Sequence, residues 1–173
     1  MPKDATGIGQ VFYTHLETPL GPLLVAADAD ALVALEFGAG RRPPRPASDW
    51  TARPSSPLLR ATAAQLAGYF AGRRRAFDLP LRPQGTPFQL DAWEALRRIP
   101  YGETRSYGEQ ATAIGRTGAA RAVGAANARN RLVIVIPCHR VIGGDGSLTG
   151  FAAGLSRKQA LLRLEGALPR PLP

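Results

Sequence analysis

Two capping boxes in the second half of the chain decide what kind of structure it can adopt. Thr86-Pro87-Phe88-Gln89 and Ser106-Tyr107-Gly108-Glu109 each place a hydroxyl to accept from the backbone N–H three residues on, with a Gln or Glu to return the bond. Pro87 at the first helical position strengthens the first signal. The stops are as local as the starts. Pro100 ends the first helix, whose apolar stripe is Phe88, Ala92, Leu96 and Ile99, and Gly115 serves as the C′ residue of the second, which runs through Ile114. After the Gly115-Arg116-Thr117 turn, Thr117 can cap a third helix from Gly118 to about Ala128. Two short helices joined by a glycine-containing turn match a helix-turn-helix. A last helix from about Ser156 to Glu165 buries Leu161 and Leu164 and stops at Gly166.

The first half reads differently. Residues 10–16 alternate, and Leu23 to Ala26 and Ala31 to Phe37 form two more apolar runs, separated by Thr18-Pro19-Leu20-Gly21-Pro22 and Asp28-Ala29-Asp30. This is the pattern of an antiparallel meander, with His15 as a structural histidine. Gly38 to Ser56 is rich in Pro, Arg and Gly without periodicity and reads as a surface loop. Ser56-Pro57 then starts a helix with Leu59, Ala63, Leu66 and Phe70 on its apolar side, running into the solvated Arg73-Arg74-Arg75. Phe77 to Leu81 adds a possible strand, and Arg82-Pro83-Gln84-Gly85 is a connector. The expected domains are therefore 1–84 and 85–173.

Length and composition permit one ordinary domain or two small ones, with 45% hydrophobic residues for a core. No run is long and apolar enough to span a membrane, and Lys3 and Asp4 replace the apolar stretch of a secretory signal, so a cytoplasmic location is the default expectation. The net charge of +9 is carried by arginine, since all but two of the 22 basic residues, Lys3 and Lys158, are arginines. That surplus suits a polyanion, and it equally follows from a coding preference for arginine, proline and glycine. One cysteine and two histidines cannot assemble a zinc site of the Cys/His kind, so no metal and no cofactor are expected.

The single cysteine lies in Ile136-Pro137-Cys138-His139-Arg140-Val141. Leu132 to Ile136 is an apolar, largely β-branched run that reads as a short buried strand ended by Pro137. A thiol at a rigid bend after a strand is a candidate nucleophile, although a small buried cysteine also packs simply as a hydrophobe. His139 can polarise it, but neighbours on an extended chain point apart, so a water would carry the contact. The third helix is narrow, with Ala119, Ala120, Ala122, Gly124, Ala125 and Ala126 around a projecting Arg121. A slim helix can approach nucleic acid closely, and it can equally pack tightly against its neighbours.

Taken together, these residues resemble the O6-alkylguanine-DNA alkyltransferases, DNA repair proteins that move an alkyl group from guanine onto their own cysteine. Ile136-Pro137-Cys138-His139-Arg140-Val141-Ile142-Gly143 resembles the family's active-site signature. Arg121-Ala122-Val123-Gly124-Ala125, Thr86 to Tyr107 and Thr18-Pro19-Leu20-Gly21-Pro22-Leu23 are also similar to it. The resemblance implies an N-terminal α/β domain, ribonuclease H-like, with an antiparallel sheet and helix, and a mainly α C-terminal domain, winged-helix-like, with a helix-turn-helix. It implies that Cys138 accepts the alkyl group, that His139 and Glu165 assist through a water, that Asn130 braces the turn, and that Tyr107 donates a proton. It places Arg121, Tyr107, Thr117, Ala119, Ala120, Gly124 and Arg140 on DNA, and Val133, Val135, Ser147, Phe151, Ala152 and Ala153 around the base. Phe151 stands where the family commonly has tyrosine. The implied partner is double-stranded DNA carrying O6-alkylguanine or O4-alkylthymine, met by a monomer that flips the nucleotide and is consumed in one turnover.

Two other readings compete. A cysteine hydrolase built on Cys138, His139 and Glu165 would leave the helix-turn-helix and the arginine surplus without a purpose. A DNA-binding regulator with an alkylation- or redox-sensing thiol would need an effector segment, and the sequence offers none.

Overall fold

The computed structural model describes residues 5–169, so Lys3 and Asp4, noted above, lie outside the described part. The chain divides into two compact units, Met1–Gln84 and Gly85–Pro173.

In the first unit β1 (Phe12–Leu16), β2 (Leu23–Ala27) and β3 (Leu32–Phe37) form the expected meander. Phe12 lies opposite Ala27, and Leu23 opposite Phe37. Every residue of β2 is buried, which is why its sequence is a continuous apolar run rather than an alternation. The turn into β3 is built by Asp28, whose Oδ1 accepts from the backbone N–H groups of Asp30 and Ala31 at 2.8 and 2.9 Å and whose Oδ2 pairs with Arg82. Sequence periodicity missed one strand. β4 (Thr51–Ala52) runs parallel to β1 inside the stretch read as a loop, giving the order β3-β2-β1-β4. His15 also ties that stretch down by donating from Nε2 to the Pro44 carbonyl at 2.7 Å.

Helix α1 (Pro57–Phe70) packs on β1 and β2. Its buried stripe is Leu59, Thr62, Leu66 and Tyr69, so Ala63 and Phe70 are displaced from the place expected of them. Thr62 can be buried because its hydroxyl donates to the Leu58 carbonyl at 2.8 Å. Phe77 to Leu81 does not form a strand and contributes a single bridge, Leu81 to Leu32.

In the second unit both capping boxes form. Thr86 opens α2 (Pro87–Arg97) and Ser106 opens α3 (Tyr107–Ala113). Gly115, at φ 70°, closes α3, with its own N–H on the Thr112 carbonyl and that of Arg116 on the Ala111 carbonyl. Helix α4 (Ala120–Ala128) starts later than expected. Thr117 does not cap it; the N-cap is Ala119, which has no side chain to do so. The remaining elements are β5 (Arg105–Ser106), paired in parallel with β6 (Val141–Ile142), and α5 (Leu155–Leu164). Helix α5 buries Leu161 and Leu162, while Leu164 is half-buried.

The relation of α3 to α4 is fixed by a buried polar lock. Gln110 and Asn127 exchange amide hydrogen bonds at 2.8 and 2.9 Å, and Gln110 also reaches the Ala92 carbonyl of α2 at 3.0 Å. Trp93 of α2 donates to the Ala126 carbonyl at 2.8 Å. Because the buried amides are satisfied only in this arrangement, the three helices are held in one mutual geometry. Val123, Ala126 and Asn127 are the buried side of α4, while Arg121, Ala122 and Ala125 face outward. The narrow helix thus packs against its neighbours on one side and leaves a thin, arginine-bearing face exposed on the other.

Candidate active site

The thiol is presented by a tight turn rather than by a strand. Asn130 accepts from the Leu132 N–H at 2.9 Å through Oδ1, and its Nδ2 donates to the Ile136 carbonyl at 2.8 Å and to Cys138 Sγ at 3.2 Å. Within that brace the Val135 N–H reaches the Val133 carbonyl, which puts Ile134 at φ 72°, and the Ile136 N–H returns to Leu132. A β-branched residue at positive φ costs about 1–3 kcal/mol and persists only where its surroundings over-determine it. Pro137 then directs a second tight turn, with the Cys138 N–H on the Ile136 carbonyl at 2.8 Å, into a single 3-10 turn, Cys138–Arg140. An apolar run has no period of its own to separate a buried strand from a buried turn. Here the Asn130 amide supplies partners that a neighbouring strand would otherwise provide.

Cys138 is 6% exposed. Burial pushes its thiol pKa up, against the opposing pull of the Asn130 hydrogen bond and of Lys158 nearby. His139 is fully buried, and its Nε2 lies 2.9 Å from Glu165 Oε1. Burial alone would raise the Glu165 carboxyl, but the hydrogen bonds from His139 and Arg140 outweigh it and hold the group at about 2. An ionised carboxylate can only accept, so Nε2 carries the imidazole proton. Nδ1 is left as a bare, buried acceptor, without a hydrogen-bond partner among the described residues. Burial also lowers the His139 pKa, keeping the ring neutral. The arrangement therefore holds a protonated thiol beside a neutral imidazole able to take one proton.

Comparison with known proteins agrees with that chemistry. Residues 11–83 match the family model for the 6-O-methylguanine DNA methyltransferase ribonuclease-like domain, and residues 87–167 match that for the DNA binding domain of the same proteins. The chain is 46% identical to a methylated-DNA–protein-cysteine methyltransferase of Methanosarcina acetivorans, over 91% of this chain and 99% of that one. It is 45% identical to the crystal structure of Mycobacterium tuberculosis O6-methylguanine methyltransferase, with a TM-score of 0.83 over 94% and 97% of the two chains. It is also similar, at 46% identity and a TM-score of 0.81 over 90% and 92%, to the Mycobacterium tuberculosis OGT in complex with DNA. The chain belongs to the methylated-DNA–protein-cysteine methyltransferase family.

Against that family background, the residues expected at the site separate into groups. Cys138 and Asn130 form one hydrogen-bonded pair and His139 and Glu165 another, the two joined through the Cys138–His139 backbone. Tyr107, at the start of α3, donates from its hydroxyl to the Thr149 carbonyl at 2.9 Å, and Gly124 of α4 lies against its ring. Val133 and Phe151 are buried, Val135 and Ala153 half-buried, and Ala152 exposed. Ser147 is exposed and bonds Asp145 at 2.6 Å. Arg121 projects from α4, with Ala119 and Ala120 half-buried at its start and Thr117 exposed in the preceding turn.

Arg140 requires a correction, because it is not on a DNA-facing surface. It is 7% exposed, and its guanidinium grips Glu165 through Nε and Nη2, both at 2.9 Å, while Nη1 donates to the Ile99 carbonyl at 2.7 Å. A planar fork matched to a carboxylate is worth more inside than facing solvent. Lys158 was not singled out by the sequence at all, yet it is fully buried. The signal was available, since Lys158 falls on the inward side of α5 with Leu161 and Leu162.

The Glu165 network sets an expected acid limit. Its carboxyl is depressed from 4.5 to about 2, and the His139 pKa is also lowered. For both groups the unfolded chain binds protons first. The stabilisation is complete above the unfolded values and is lost as pH falls, from below 6.5 for His139 and between 4.5 and about 2 for Glu165. The carboxylate's share is about 3 kcal/mol. Urea unfolding from pH 7 to pH 3 should show this loss in the wild type and a shallower one in Glu165→Gln; equal slopes would remove Glu165 as its source.

Proposed function

We propose that this chain repairs DNA by direct reversal, taking the alkyl group of O6-alkylguanine onto Cys138 in a single irreversible turnover. The observation that carries this reading is the buried cluster of Cys138, Asn130, His139 and Glu165 beside a helix-turn-helix. The thiol proton passes through a water to the bare Nδ1 of His139, whose Nε2–H is steadied by Glu165. The Cys138 sulfur attacks the alkyl carbon in line, the carbon–oxygen bond breaks, and its electron pair returns to guanine O6. The leaving base takes a proton on its ring from Tyr107, whose hydroxyl exchanges the Thr149 carbonyl for the base. The proton account closes when His139 returns its proton to Tyr107 through solvent. The product is a thioether, which has no carbonyl for water to attack, so the thiol is not regenerated.

The lesion lies inside a duplex, so the nucleotide must be turned out before the sulfur can reach it. The outward face of α4 suits this, because Ala122 and Ala125 keep the helix thin beside Arg121. On this reading the protein acts as a monomer on double-stranded DNA, needs no cofactor because the acceptor is its own side chain, and works in the cytoplasm.

Intact-mass measurement after incubation with an O6-methylguanine duplex tests the reading: the protein should gain the mass of one methylene, located on Cys138, and stop at one equivalent. An unchanged mass would refute it. Arg121→Ala should slow repair of duplex lesions about tenfold or more while reaction with free O6-benzylguanine changes little, because only the duplex must be opened. An equal loss on both substrates would place Arg121 in the chemistry instead.

A further inference from the structure

Lys158 is a buried cation for which the steps above have no use. Its chain position on α5 carries its ammonium between two backbone carbonyls, those of Val141 and Thr149, the latter at 2.7 Å. Val141 directly follows the Cys138–Arg140 turn. Thr149 belongs to the irregular segment 147–154 that brings Phe151 into the interior. The ammonium thus joins the strand next to the acceptor to the segment expected to enclose the base. The Thr149 carbonyl is shared, since the Tyr107 hydroxyl also donates to it at 2.9 Å, and the Lys158 ammonium lies 5.8 Å from the centre of the Tyr107 ring. Gly150 brings the backbone against the same hydroxyl: a Cβ there would meet it at 3.1 Å, at a φ of 58° that favours glycine.

Full burial of a lysine is rare, because its charge loses solvation that only close dipoles can replace. Burial lowers the Lys158 pKa to about 8, with Cys138 pulling it the other way. Two carbonyl oxygens aimed at one ammonium supply that replacement. A methionine, one atom shorter, would fill most of the volume and leave both oxygens without this donor.

We propose that Lys158 is a positioning residue for alkyl transfer, bolting the 147–154 segment to the acceptor strand and holding the Thr149 carbonyl when Tyr107 leaves it for the flipped base. A carbonyl oxygen has two lone pairs, and here both are used. When Tyr107 turns to the base, the Lys158 bond remains and the segment keeps its place. Without Lys158, every departure of Tyr107 would strip the Thr149 carbonyl of both its side-chain donors and loosen the segment at that point, so closure of the site and proton delivery would compete. This inference rests on the proposed repair reaction.

The test combines a variant with a spectroscopic reading of the wild type. Lys158→Met should lower the maximal single-turnover transfer rate about tenfold or more, while half-saturation by lesion duplex stays within about twofold, because α4 is untouched. Hydrogen exchange should rise in 147–154 and not across the second unit. A loss confined to half-saturation, or exchange rising uniformly, would make Lys158 merely structural and overturn the proposal. Should that variant fail to fold, the protein's own amines decide. Lys3 and Lys158 are the only lysines, so selectively 15N-labelled lysine gives two side-chain signals. In Cys138→Ser protein the Lys158 signal should shift with O6-methylguanine duplex and stay put with the undamaged one; identical spectra would overturn the inference. Failure of the repair reading is distinct, since wild-type protein would then transfer no alkyl group at all.

Discussion

Cys138→Ser is expected to abolish alkyl transfer while leaving affinity for undamaged duplex within about twofold. The hydroxyl is close to the thiol in size, so the Asn130 amide keeps an acceptor and the turn keeps its brace. What changes is chemistry: a serine hydroxyl is far less acidic than a thiol and far less nucleophilic toward an alkyl carbon, and the neutral His139 nearby is too weak a base to offset that. The outward face of α4, which carries Arg121, lies on a different element from the turn and is unaffected. Transfer followed by intact mass and binding followed by fluorescence anisotropy, on one duplex, separate the two properties. Stoichiometric alkylation persisting in the variant would mean that the acceptor lies elsewhere.

The second large effect is on stability. Arg140→Met should destabilise the protein by about 3–5 kcal/mol, because removing one partner of a buried ion pair leaves the other charge inside without its compensation. Glu165 would retain His139 but lose both of its contacts from Arg140, and the Ile99 carbonyl after α2 would lose its anchor. The double variant Arg140→Met, Glu165→Gln should recover part of the loss by removing the stranded charge. Urea denaturation of the wild type and the variants measures both steps. A single-variant loss below about 1 kcal/mol would mean that Arg140 behaves as an exposed cation.

That the family resemblance placed Arg140 on DNA shows where reasoning from the chain alone stops. Helix starts were legible because a capping box is closed within four residues, as at Thr86 and Ser106, and the Gly115 stop because positive φ selects glycine there. The meander was legible because Asp28 and Gly21 mark its turns locally. Partners distant in the chain were not. Glu165 lies 25 residues after Arg140, and nothing in a row of cations tells which one faces inward. Thr117 carried the right chemistry for a cap, but the chain stays irregular until Ala120. β4 was too short to carry any period, and Leu132 to Ile136 carried no period at all. The grouping of Cys138, His139 and Glu165, and Asn130 as the brace of the turn, came from the family resemblance, whereas the three partners that Asn130 holds, and the burial of Lys158, needed coordinates.

The burial of the acceptor has a final consequence, which concerns supply rather than speed. With Cys138 only 6% exposed, a group received by its sulfur ends up enclosed by the protein, out of reach of any second protein that would have to grip it to remove it. Each molecule then records one event and is spent. On the proposed reaction, the number of lesions a cell can clear before new synthesis equals the number of copies it holds, and a burst of damage is met by abundance, whatever the rate constant.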